Sequence, residues 1–188
     1  MRVCLVLLAA GLSRRFGAEN KLLYELDGKP LYRHTLDKLI ALRDGETEVL
    51  VMTNTPEVQA FCGAHEIRWL ASPQAAEGAS QTIRTAVAAA GDADACVFFV
   101  ADQPRLKLTT LQGFLKLCRE REAGLACVAA EGQRGNPAWF GRAWFGALSA
   151  LTGDVGGRKV LLQNAKQVLL FPAERAELTD IDRPPCEA

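Results

Sequence analysis

A glycine-containing loop near the start of the chain combines residue types that could bind a phosphate. Residues 8–22 read LAAGLSRRFGAENKL, within and after an apolar run. Gly11 lets the backbone approach a ligand closely, and amides at the bottom of such a loop can bind an anion. Ser13 adds a hydroxyl donor, while Arg15 and Lys21 add positive charge. The segment fits neither a GxGxxG dinucleotide loop nor a Walker A loop. Spacing alone leaves a phosphate-binding loop and an ordinary glycine-rich turn as equal alternatives.

Three carboxylates stand where a metal ion could bind. Asp102 directly follows the run ACVFFVA, and a carboxylate at the end of such a buried strand is predicted to point into a crevice. Asp180 and Asp182 are separated by one residue, so on an extended segment we expect them to point in the same direction. Mg²⁺ prefers oxygen ligands and often binds one or two carboxylates together with phosphates and water. A strand-terminating Asp-x-Pro turn and a solvated tail are the alternatives for these two segments.

Three further segments place polar groups beside turns. AEGASQT opens a predicted helix with Gly78 and Ser80 at its start, where backbone amides can donate hydrogen bonds. A plain N-cap is the alternative there. RGNP, residues 134–137, precedes an aromatic pair. GDVGGR, residues 153–158, is on local grounds equally a glycine-rich turn before a helix.

Apolar runs alternate with helical patterns along the chain. The apolar runs predict strands over residues 3–8, 48–53, 67–70, 95–101, 125–130 and 168–171. Helical spacing and capping signals predict helices over residues 30–42, from Thr55-Pro56 onward, over 78–90, after a cap at Thr109 or Thr110, and over 142–151 and 158–164. This alternation predicts an α/β fold with a doubly wound, mainly parallel sheet. Ligands bind beyond the carboxyl ends of the strands in such sheets, so the glycine loop and Asp102 should face the same crevice.

Composition limits the classes of partner and the compartment. The chain has 188 residues, enough for one substantial core, and Lys plus Arg equal Asp plus Glu at 22 each. This balance gives no overall attraction to nucleic acid or to an anionic membrane, so we expect neither partner. Six cysteines without a CxxC pair indicate reduced thiols in a cytoplasmic protein. No stretch reaches the roughly 18–20 apolar residues that span a bilayer.

These motifs together resemble the signature LAAGxSxR(M/F)Gx(2–3)K of the MobA-like nucleotidylyltransferase family. The run RFGAENKLL and the later GKPL are most similar to its molybdenum cofactor cytidylyltransferase (MocA-like) branch. The resemblance extends over most of the chain. It implies a single MobA-like domain over residues 1–188, with the Rossmann-like fold of the nucleotide-diphospho-sugar transferases.

The resemblance also implies the roles of individual residues. Nucleotide binding is expected at Leu8, Ala9, Ala10, Gly11, Ser13, Arg15, Lys21, Gly78 and Ser80. Arg15, Lys21 and Asp102 are the expected catalytic residues, with the two cations contacting the triphosphate and the charge that develops at the α-phosphorus. Asp102 and Asp182 are the expected metal ligands. Arg14 does not fall on the signature arginine.

Acceptor binding is implied for Asn136, Asp154 and Arg158, which lie in segments similar to the family's GHP motif and GDxGxR loop. Three positions depart from the family pattern. Ala101 replaces the glycine of GDQP, Asn136 replaces the histidine of GHP, and Arg183 replaces the threonine of DIDTPED. Asparagine keeps a hydrogen-bonding side chain but loses the titratable group of histidine.

The implied activity is transfer of NMP from an NTP to a phosphorylated acceptor, with Mg²⁺ and with release of pyrophosphate. CTP and molybdopterin, or the molybdenum cofactor, are the implied substrates, and a molybdoenzyme is an implied partner. An anionic acceptor phosphate needs no general base, in keeping with a chain that has only two histidines. The alternatives are a guanylyltransferase, a transferase for another phosphorylated acceptor, and a non-catalytic nucleotide-binding maturation factor for a molybdoenzyme.

Overall fold

The apolar runs of the sequence form the strands of one central sheet in the computed structural model, which describes residues 1–11 and 20–182. The strands are β1 (Val3–Ala9), β2 (Glu25–Leu26), β3 (Lys29–Pro30), β4 (Thr47–Thr53), β5 (Arg68–Leu70), β6 (Ala95–Val100), β7 (Leu125–Ala130), β8 (Gln133–Gly141) and β9 (Val168–Pro172). The helices are α1 (Leu31–Ala41), α2 (Pro56–Ala64), α3 (Ala79–Ala89), α4 (Leu108–Glu120), α5 (Phe145–Ser149) and α6 (Arg158–Gln163). Short 3-10 turns lie at Lys21–Leu23, Pro73–Glu77, Arg142–Trp144 and Arg175–Leu178.

The central sheet contains seven strands in the order β5-β4-β1-β6-β8-β7-β9, and β2 and β3 form a separate small hairpin. β8 runs antiparallel to both of its neighbours, whereas the other four strand pairs of the large sheet are parallel. The predicted α/β fold with a mainly parallel sheet is therefore confirmed. The sequence predicts six of the seven strands, and β8 is the exception.

Alternate residues of the central strands face two separate apolar layers. In β1, Val3, Leu5 and Leu7 belong to the layer formed with α1, α2 and α4, while Cys4 and Val6 belong to the layer formed with α3, α5 and α6. All five side chains are almost completely buried. Helices thus cover both faces of the sheet, and this is why the strands are nearly continuous apolar runs.

β8 escapes prediction because of its turn and its composition. Glu131 and Gly132 join β7 to β8, and their φ values of 51° and 78° are typical of a two-residue hairpin turn. Pro137 lacks an amide hydrogen, and it lies where the pairing with β7 is interrupted, between the pairs formed by Cys127 and Ala129. The RGNP motif consequently lies inside a strand and not in a loop before it.

Two helix boundaries differ from the sequence prediction. α4 begins directly after Lys107 and not at a cap formed by Thr109 or Thr110. The Lys107 amide donates a hydrogen bond to Glu177 Oε2 at 2.9 Å, so a carboxylate distant in sequence satisfies a donor at this helix end. The helix predicted over residues 142–151 is a 3-10 turn followed by the short α5. Within the described part of the chain, none of the helices has both the length and the apolar character needed to cross a membrane.

Candidate functional site

An open cavity of about 680 Å³ lies at the carboxyl ends of β1 and β6. The two strands are parallel neighbours with Leu8 opposite Val100, so the residues that follow them meet at one edge of the sheet. Ligand pockets commonly have volumes of about 300–1,000 Å³. The predicted site residues that line this first cavity are Leu8, Ala9, Ala10, Gly11, Lys21, Gly78, Asp102, Asp154 and Asp182.

Lys21 is the centre of a charged cluster in the first cavity. Its Nζ donates hydrogen bonds to Asp102 Oδ2 at 2.8 Å and to Asp182 Oδ1 at 3.0 Å. Lys21 is only 9% exposed. Burial alone lowers its pKa, but the hydrogen bonds and charges of Asp102 and Asp182 outweigh burial and raise the pKa above its ordinary value. Lys21 is therefore a fixed positive charge at neutral pH.

The position of Lys21 is set by the short turn that it begins. Asn20 precedes this turn, and its Oδ1 accepts a hydrogen bond from the Leu22 amide at 3.0 Å. Asn20 Nδ2 donates to Thr55 Oγ1 at 2.9 Å, which ties the turn to the start of α2. Leu22 is buried in the apolar layer shared with α1. The residues on both sides of Lys21 are thus anchored. Its side chain extends between the carboxylates of Asp102 and Asp182.

Asp102 has the environment of a metal ligand. Its Oδ1 is buried and has no hydrogen-bond partner among the described residues, whereas Oδ2 is bonded to Lys21. A buried carboxylate oxygen in this state is costly unless a cation approaches it. Asp182 brings a second carboxylate to the same lysine. No cluster of three or more His, Cys, Asp or Glu residues suited to a metal occurs in the described ranges. A pair of carboxylates suits Mg²⁺, whose other ligands are commonly phosphates and water.

One wall of the first cavity forms where the start of α3 contacts the loop after α5. Gly78 has a φ of 122°, and a Cβ atom there would lie 2.4 Å from the Gly153 carbonyl oxygen, so only glycine fits. Ser80 is fully buried, and its Oγ donates to the same oxygen at 2.6 Å. The Ala79 amide donates to Asp154 Oδ1 at 3.3 Å. Ser80 therefore lies behind the wall, whereas Gly78 and Asp154 are part of its surface.

A second cavity of about 350 Å³ is lined by Asn136 and Arg158. The structure thus divides the three predicted acceptor residues, because Asp154 lines the first cavity. Arg134 and Arg175 also line the second cavity, and Arg175 Nη1 forms an ion pair with a glutamate at 3.1 Å. Arg134 Nε is buried and has no hydrogen-bond partner in the described part of the chain. Three guanidinium groups outnumber the two carboxylates that also line this cavity, and this excess of positive charge favours an anionic ligand.

Residues 178–182, here called the partition segment, lie between the two cavities. Asp182 lines the first cavity, while Asp180 lines the second and accepts a hydrogen bond from Gln103 Nε2 at 2.8 Å. The prediction that these two carboxylates point in the same direction is therefore wrong, because the segment is not part of a strand and each carboxylate has its own partner. Burial, reinforced by the neighbouring carboxylates, raises the pKa of Asp180.

Several predicted residues lie outside the part of the chain that the structure describes. Ser13, Arg14 and Arg15 fall within residues 12–19, and Arg183 falls within the last six residues. The roles assigned to Ser13 and Arg15 stay predictions. Lys21, by contrast, is a cation of this loop that the structure describes, and it lines the first cavity.

Two residues near the cavities are missed by the sequence reasoning. Thr82 lines the first cavity, and its position one helical turn after Gly78 is a signal that could have identified it. Gln103 lines the second cavity and follows Asp102 directly. Its amide contacts residues that lie 75 and 77 positions later, so no local pattern indicates its role.

Comparisons with known proteins show which family this chain is similar to. A model of one protein family, described as the MobA-like NTP transferase domain, matches residues 5–168. The purine catabolism protein PucB of Bacillus subtilis (strain 168) is 29% identical, and the match covers 95% of this chain and 91% of that protein. The molybdenum cofactor guanylyltransferase of Shewanella putrefaciens is 27% identical, and the match covers 86% of this chain and 80% of that protein.

Solved structures share the fold. The crystal structure of Rv0371c from Mycobacterium tuberculosis H37Rv has a TM-score of 0.80 at 22% identity and covers 97% of this chain and 94% of that chain. A structure of Rv0371c in complex with manganese has a TM-score of 0.72 at 22% identity and covers 93% and 89% of the two chains. At these identities the likeness establishes the fold alone.

Proposed function

The chain belongs to the MobA-like NTP transferase family and is a nucleotidyltransferase, and we propose that it transfers CMP from CTP to a phosphorylated acceptor. Molybdopterin or the molybdenum cofactor is the proposed acceptor. The observation that carries the proposal is the Lys21 cluster, in which one buried cation joins Asp102 and Asp182 at an open cavity next to the glycine loop. CTP occupies the first cavity in this proposal, and the acceptor occupies the second.

The proposed reaction is a single displacement at phosphorus. An oxygen of the acceptor phosphate attacks the α-phosphorus of CTP and forms a new P–O bond. The bond from the α-phosphorus to the oxygen that bridges to the β-phosphate breaks, and pyrophosphate leaves with that electron pair. A phosphate monoester carries about −1.5 to −2 charges at neutral pH, so no side chain has to remove a proton.

The positions of the histidines support a reaction without a general base. His34 Nε2 lies 2.9 Å from the Leu26 carbonyl oxygen, and His65 Nδ1 lies 2.9 Å from the Phe61 carbonyl oxygen. Neither histidine lines the first or the second cavity. Positioning and charge stabilisation then provide most of the rate, as in other phosphoryl transfers.

The charged residues of the first cavity have separate proposed roles. Lys21 donates hydrogen bonds to the triphosphate and offsets the charge that develops on the leaving pyrophosphate. Arg15 is proposed to assist it from the glycine loop. Asp102, through its buried Oδ1, and Asp182 are the proposed ligands of Mg²⁺. Mg²⁺ held there supplies positive charge against the phosphate oxygens. The Rv0371c complex with manganese supports a divalent ion in this fold.

The second cavity is the proposed acceptor site. Asn136 and Arg158 line it, and Arg134 and Arg175 add two more guanidinium groups. An acceptor phosphate can bind arginine through paired hydrogen bonds. The first cavity ends at Asp182 and the second begins at Asp180, so an acceptor bound in the second would lie next to the proposed metal pair. Asp154 belongs with the nucleotide in this proposal, because it lines the first cavity.

The proposal also includes a cytoplasmic location and delivery of the product to a molybdoenzyme. The five cysteines in the described part of the chain are all buried free thiols. Such thiols suit a reducing compartment.

Transfer of GMP from GTP is the second candidate. The molybdenum cofactor guanylyltransferase of Shewanella putrefaciens, similar over most of this chain, favours it. The chemistry and the residue roles are the same for both candidates, and only the base differs.

Pyrophosphate release tests the proposal. Purified protein is incubated with molybdopterin, Mg²⁺ and either CTP or GTP in parallel reactions. We expect rapid release with CTP and slow release with GTP, and no release when molybdopterin is omitted. The opposite order of nucleotides would support the guanylyltransferase. Binding of either nucleotide without release of pyrophosphate would contradict turnover and indicate a nucleotide-binding maturation factor.

A further inference from the structure

We propose that Gln103 is a positioning residue that fixes the partition segment, so that the Asp182 carboxylate lies beside Asp102 in the first cavity. The inference rests on the proposed function, because it concerns the metal pair of that reaction. Nothing in the family likeness assigns this role to the glutamine, and it follows from the contacts around the partition segment.

The Gln103 amide makes two bonds to the partition segment. Its Nε2 donates to the Leu178 carbonyl oxygen at 3.2 Å and to Asp180 Oδ1 at 2.8 Å. Gln103 is itself only 4% exposed, and its backbone carbonyl accepts a hydrogen bond from Thr35 Oγ1 of α1 at 3.3 Å. The amide is thus a rigid donor, held by the core, at the boundary of the two cavities.

A backbone bond completes the connection. The Ile181 amide donates to the Asp102 carbonyl oxygen at 2.9 Å. Asp102 and Gln103 therefore bind three successive parts of the partition segment, at Leu178, Asp180 and Ile181. The next residue is Asp182, whose carboxylate contacts Lys21. The distance between the two metal-binding carboxylates is consequently set by these bonds as well as by Lys21.

The bonds from Gln103 hold the partition segment in place against the repulsion between the Asp180 carboxylate and its neighbouring carboxylates. Asp180 is an exposed residue, and Asp102 and Asp182 are like charges close to it, which the positive charge of Lys21 offsets in part. Like charges repel, and the Gln103 amide is the donor that holds the Asp180 carboxylate in place against this repulsion. Leu178, the first residue of the segment, lies against Gly135 and the apolar layer, so the start of the segment is anchored independently. Loss of the Gln103 amide should therefore release residues 179–182 and leave the fold before them intact.

Two measurements on Gln103→Met test the proposal. Methionine keeps a similar length and loses the amide, and Gln112→Met on the exposed face of α4 is the matched control. The first measurement is amide hydrogen exchange at Ile181 in metal-free protein, where we expect about tenfold faster exchange in Gln103→Met. The second is Mn²⁺ titration of the protein saturated with CTP, where we expect about tenfold weaker Mn²⁺ affinity. Gln112→Met should match the wild type in both.

Steady-state kinetics separates positioning from a general structural effect. In Gln103→Met the Mg²⁺ concentration for half-maximal activity should rise about tenfold, while the KM for CTP changes less than about twofold. A rise in the KM for the acceptor alone would overturn the proposal, because it would mean that Gln103 binds the acceptor directly. If Gln103→Met does not fold, Gln103→Asn, which keeps a shorter amide, decides by the same exchange and Mn²⁺ measurements.

Asp180→Asn distinguishes the proposal from direct metal binding by Asp180. Asparagine still offers Gln103 an acceptor oxygen, so Ile181 should stay protected and Mn²⁺ affinity should change less than about threefold. Mn²⁺ binding that falls as far as in Asp182→Asn would make Asp180 a metal ligand and overturn the proposal. Wild-type protein that binds Mn²⁺ but releases no pyrophosphate would contradict the proposed function only, since exchange and Mn²⁺ affinity still report on Gln103. Unchanged exchange in Gln103→Met would contradict the positioning role only.

Discussion

The two cavities on either side of the partition segment are built in different ways. One side of the first is formed by the ends of β1 and β6 and the residues that follow them, which the parallel register of these strands brings together, and residues 75–82 before and within α3 form much of the rest. The second is formed by the β7–β8 hairpin, the start of α6 and the chain after β9. The strand-end side of the first cavity is therefore a direct product of local motifs, whereas the second cavity depends on contacts between segments distant in sequence.

The charged side chains of the two cavities also differ. The first cavity holds one buried lysine between two carboxylates at 2.8 and 3.0 Å. The second is lined by three arginines and two carboxylates, and one of these carboxylates, a glutamate, is already paired with Arg175. A fixed cluster of both signs suits a metal and a triphosphate, while a set of guanidinium groups suits selection of an anionic acceptor. Substitutions in the first cavity should therefore affect the chemical step, and those in the second should affect acceptor affinity.

The largest effect is expected for Asp102→Asn. The substitution removes the negative charge of the carboxylate whose Oδ1 is buried, and turnover should fall about 10²–10³-fold. The assay is pyrophosphate release from CTP with saturating molybdopterin and Mg²⁺. Asp92→Asn, an exposed carboxylate in the turn after α3, is the control and should keep wild-type turnover. Full activity of Asp102→Asn with Mg²⁺ would refute the metal assignment and the contrast between the cavities.

Gly78→Ala should cause the largest loss of stability. The new Cβ would meet the Gly153 backbone at 2.4 Å, and φ is 122°, so the wall between α3 and the loop after α5 must move. We expect the free energy of unfolding to fall by about 2–3 kcal/mol in urea titrations. Gly63→Ala lies on an exposed part of α2 with open space around it, and it should raise stability by about 0.5–1 kcal/mol. Equal stability of Gly78→Ala and wild type would show that this wall is not a rigid contact.

Arg158→Ala should weaken acceptor binding in the second cavity without affecting CTP binding in the first. The KM for molybdopterin should rise about tenfold, because one guanidinium proposed to bind the acceptor is lost, while the KM for CTP stays constant. Lys159→Ala removes the neighbouring exposed cation, which does not line the cavity, and serves as the control. A change in the KM for CTP that equals the change for the acceptor would mean that the two cavities do not bind separate substrates.

The smallest effect is expected for Glu177→Gln, which removes a charge that supports the chain before the partition segment. Burial raises the pKa of Glu177, but hydrogen bonds from Thr110 and from the Lys107 and Glu174 amides outweigh burial and hold the pKa below its ordinary value of 4.5. A lowered pKa gives stability that is present above pH 4.5 and is lost as the pH falls through the folded-state value.

Urea titrations at two pH values check this expectation. At neutral pH, Glu177→Gln should be less stable than the wild type by about 1 kcal/mol, and the difference should shrink as the pH falls below the ordinary pKa of 4.5. The exposed Glu120→Gln should show no such difference. A difference that grows on acidification would contradict the direction of the pKa shift.

The contrast between the cavities also explains what the sequence predicts and what it does not. Apolar runs predict β1 and β6, and the rule for parallel sheets places the loop after β1 and Asp102 at one edge. β8 is missed because glycine, asparagine and proline interrupt its pattern, and because Glu131-Gly132 is not one of the residue pairs typical of a two-residue hairpin turn.

Long-range contacts account for the remaining differences. The acceptor for the Lys107 amide at the start of α4 is Glu177, and the partner of Gln103 is Asp180, 77 residues later. Neither contact leaves a periodic or local pattern in the sequence. Asp154 follows the same rule, because its place in the first cavity depends on how α3 meets the loop after α5. Motif reasoning therefore works best where the site residues directly follow neighbouring strands.

Calorimetric titration of CTP tests the central claim most directly, namely that Lys21, Asp102 and Asp182 form a metal-dependent nucleotide site. The titration is carried out without acceptor, with and without Mg²⁺, on wild-type protein and on Asp102→Asn. We predict tight CTP binding to the wild type only when Mg²⁺ is present, and binding to Asp102→Asn that Mg²⁺ does not strengthen. CTP binding that is equal with and without Mg²⁺ in the wild type, or that is unchanged in Asp102→Asn, would contradict the account.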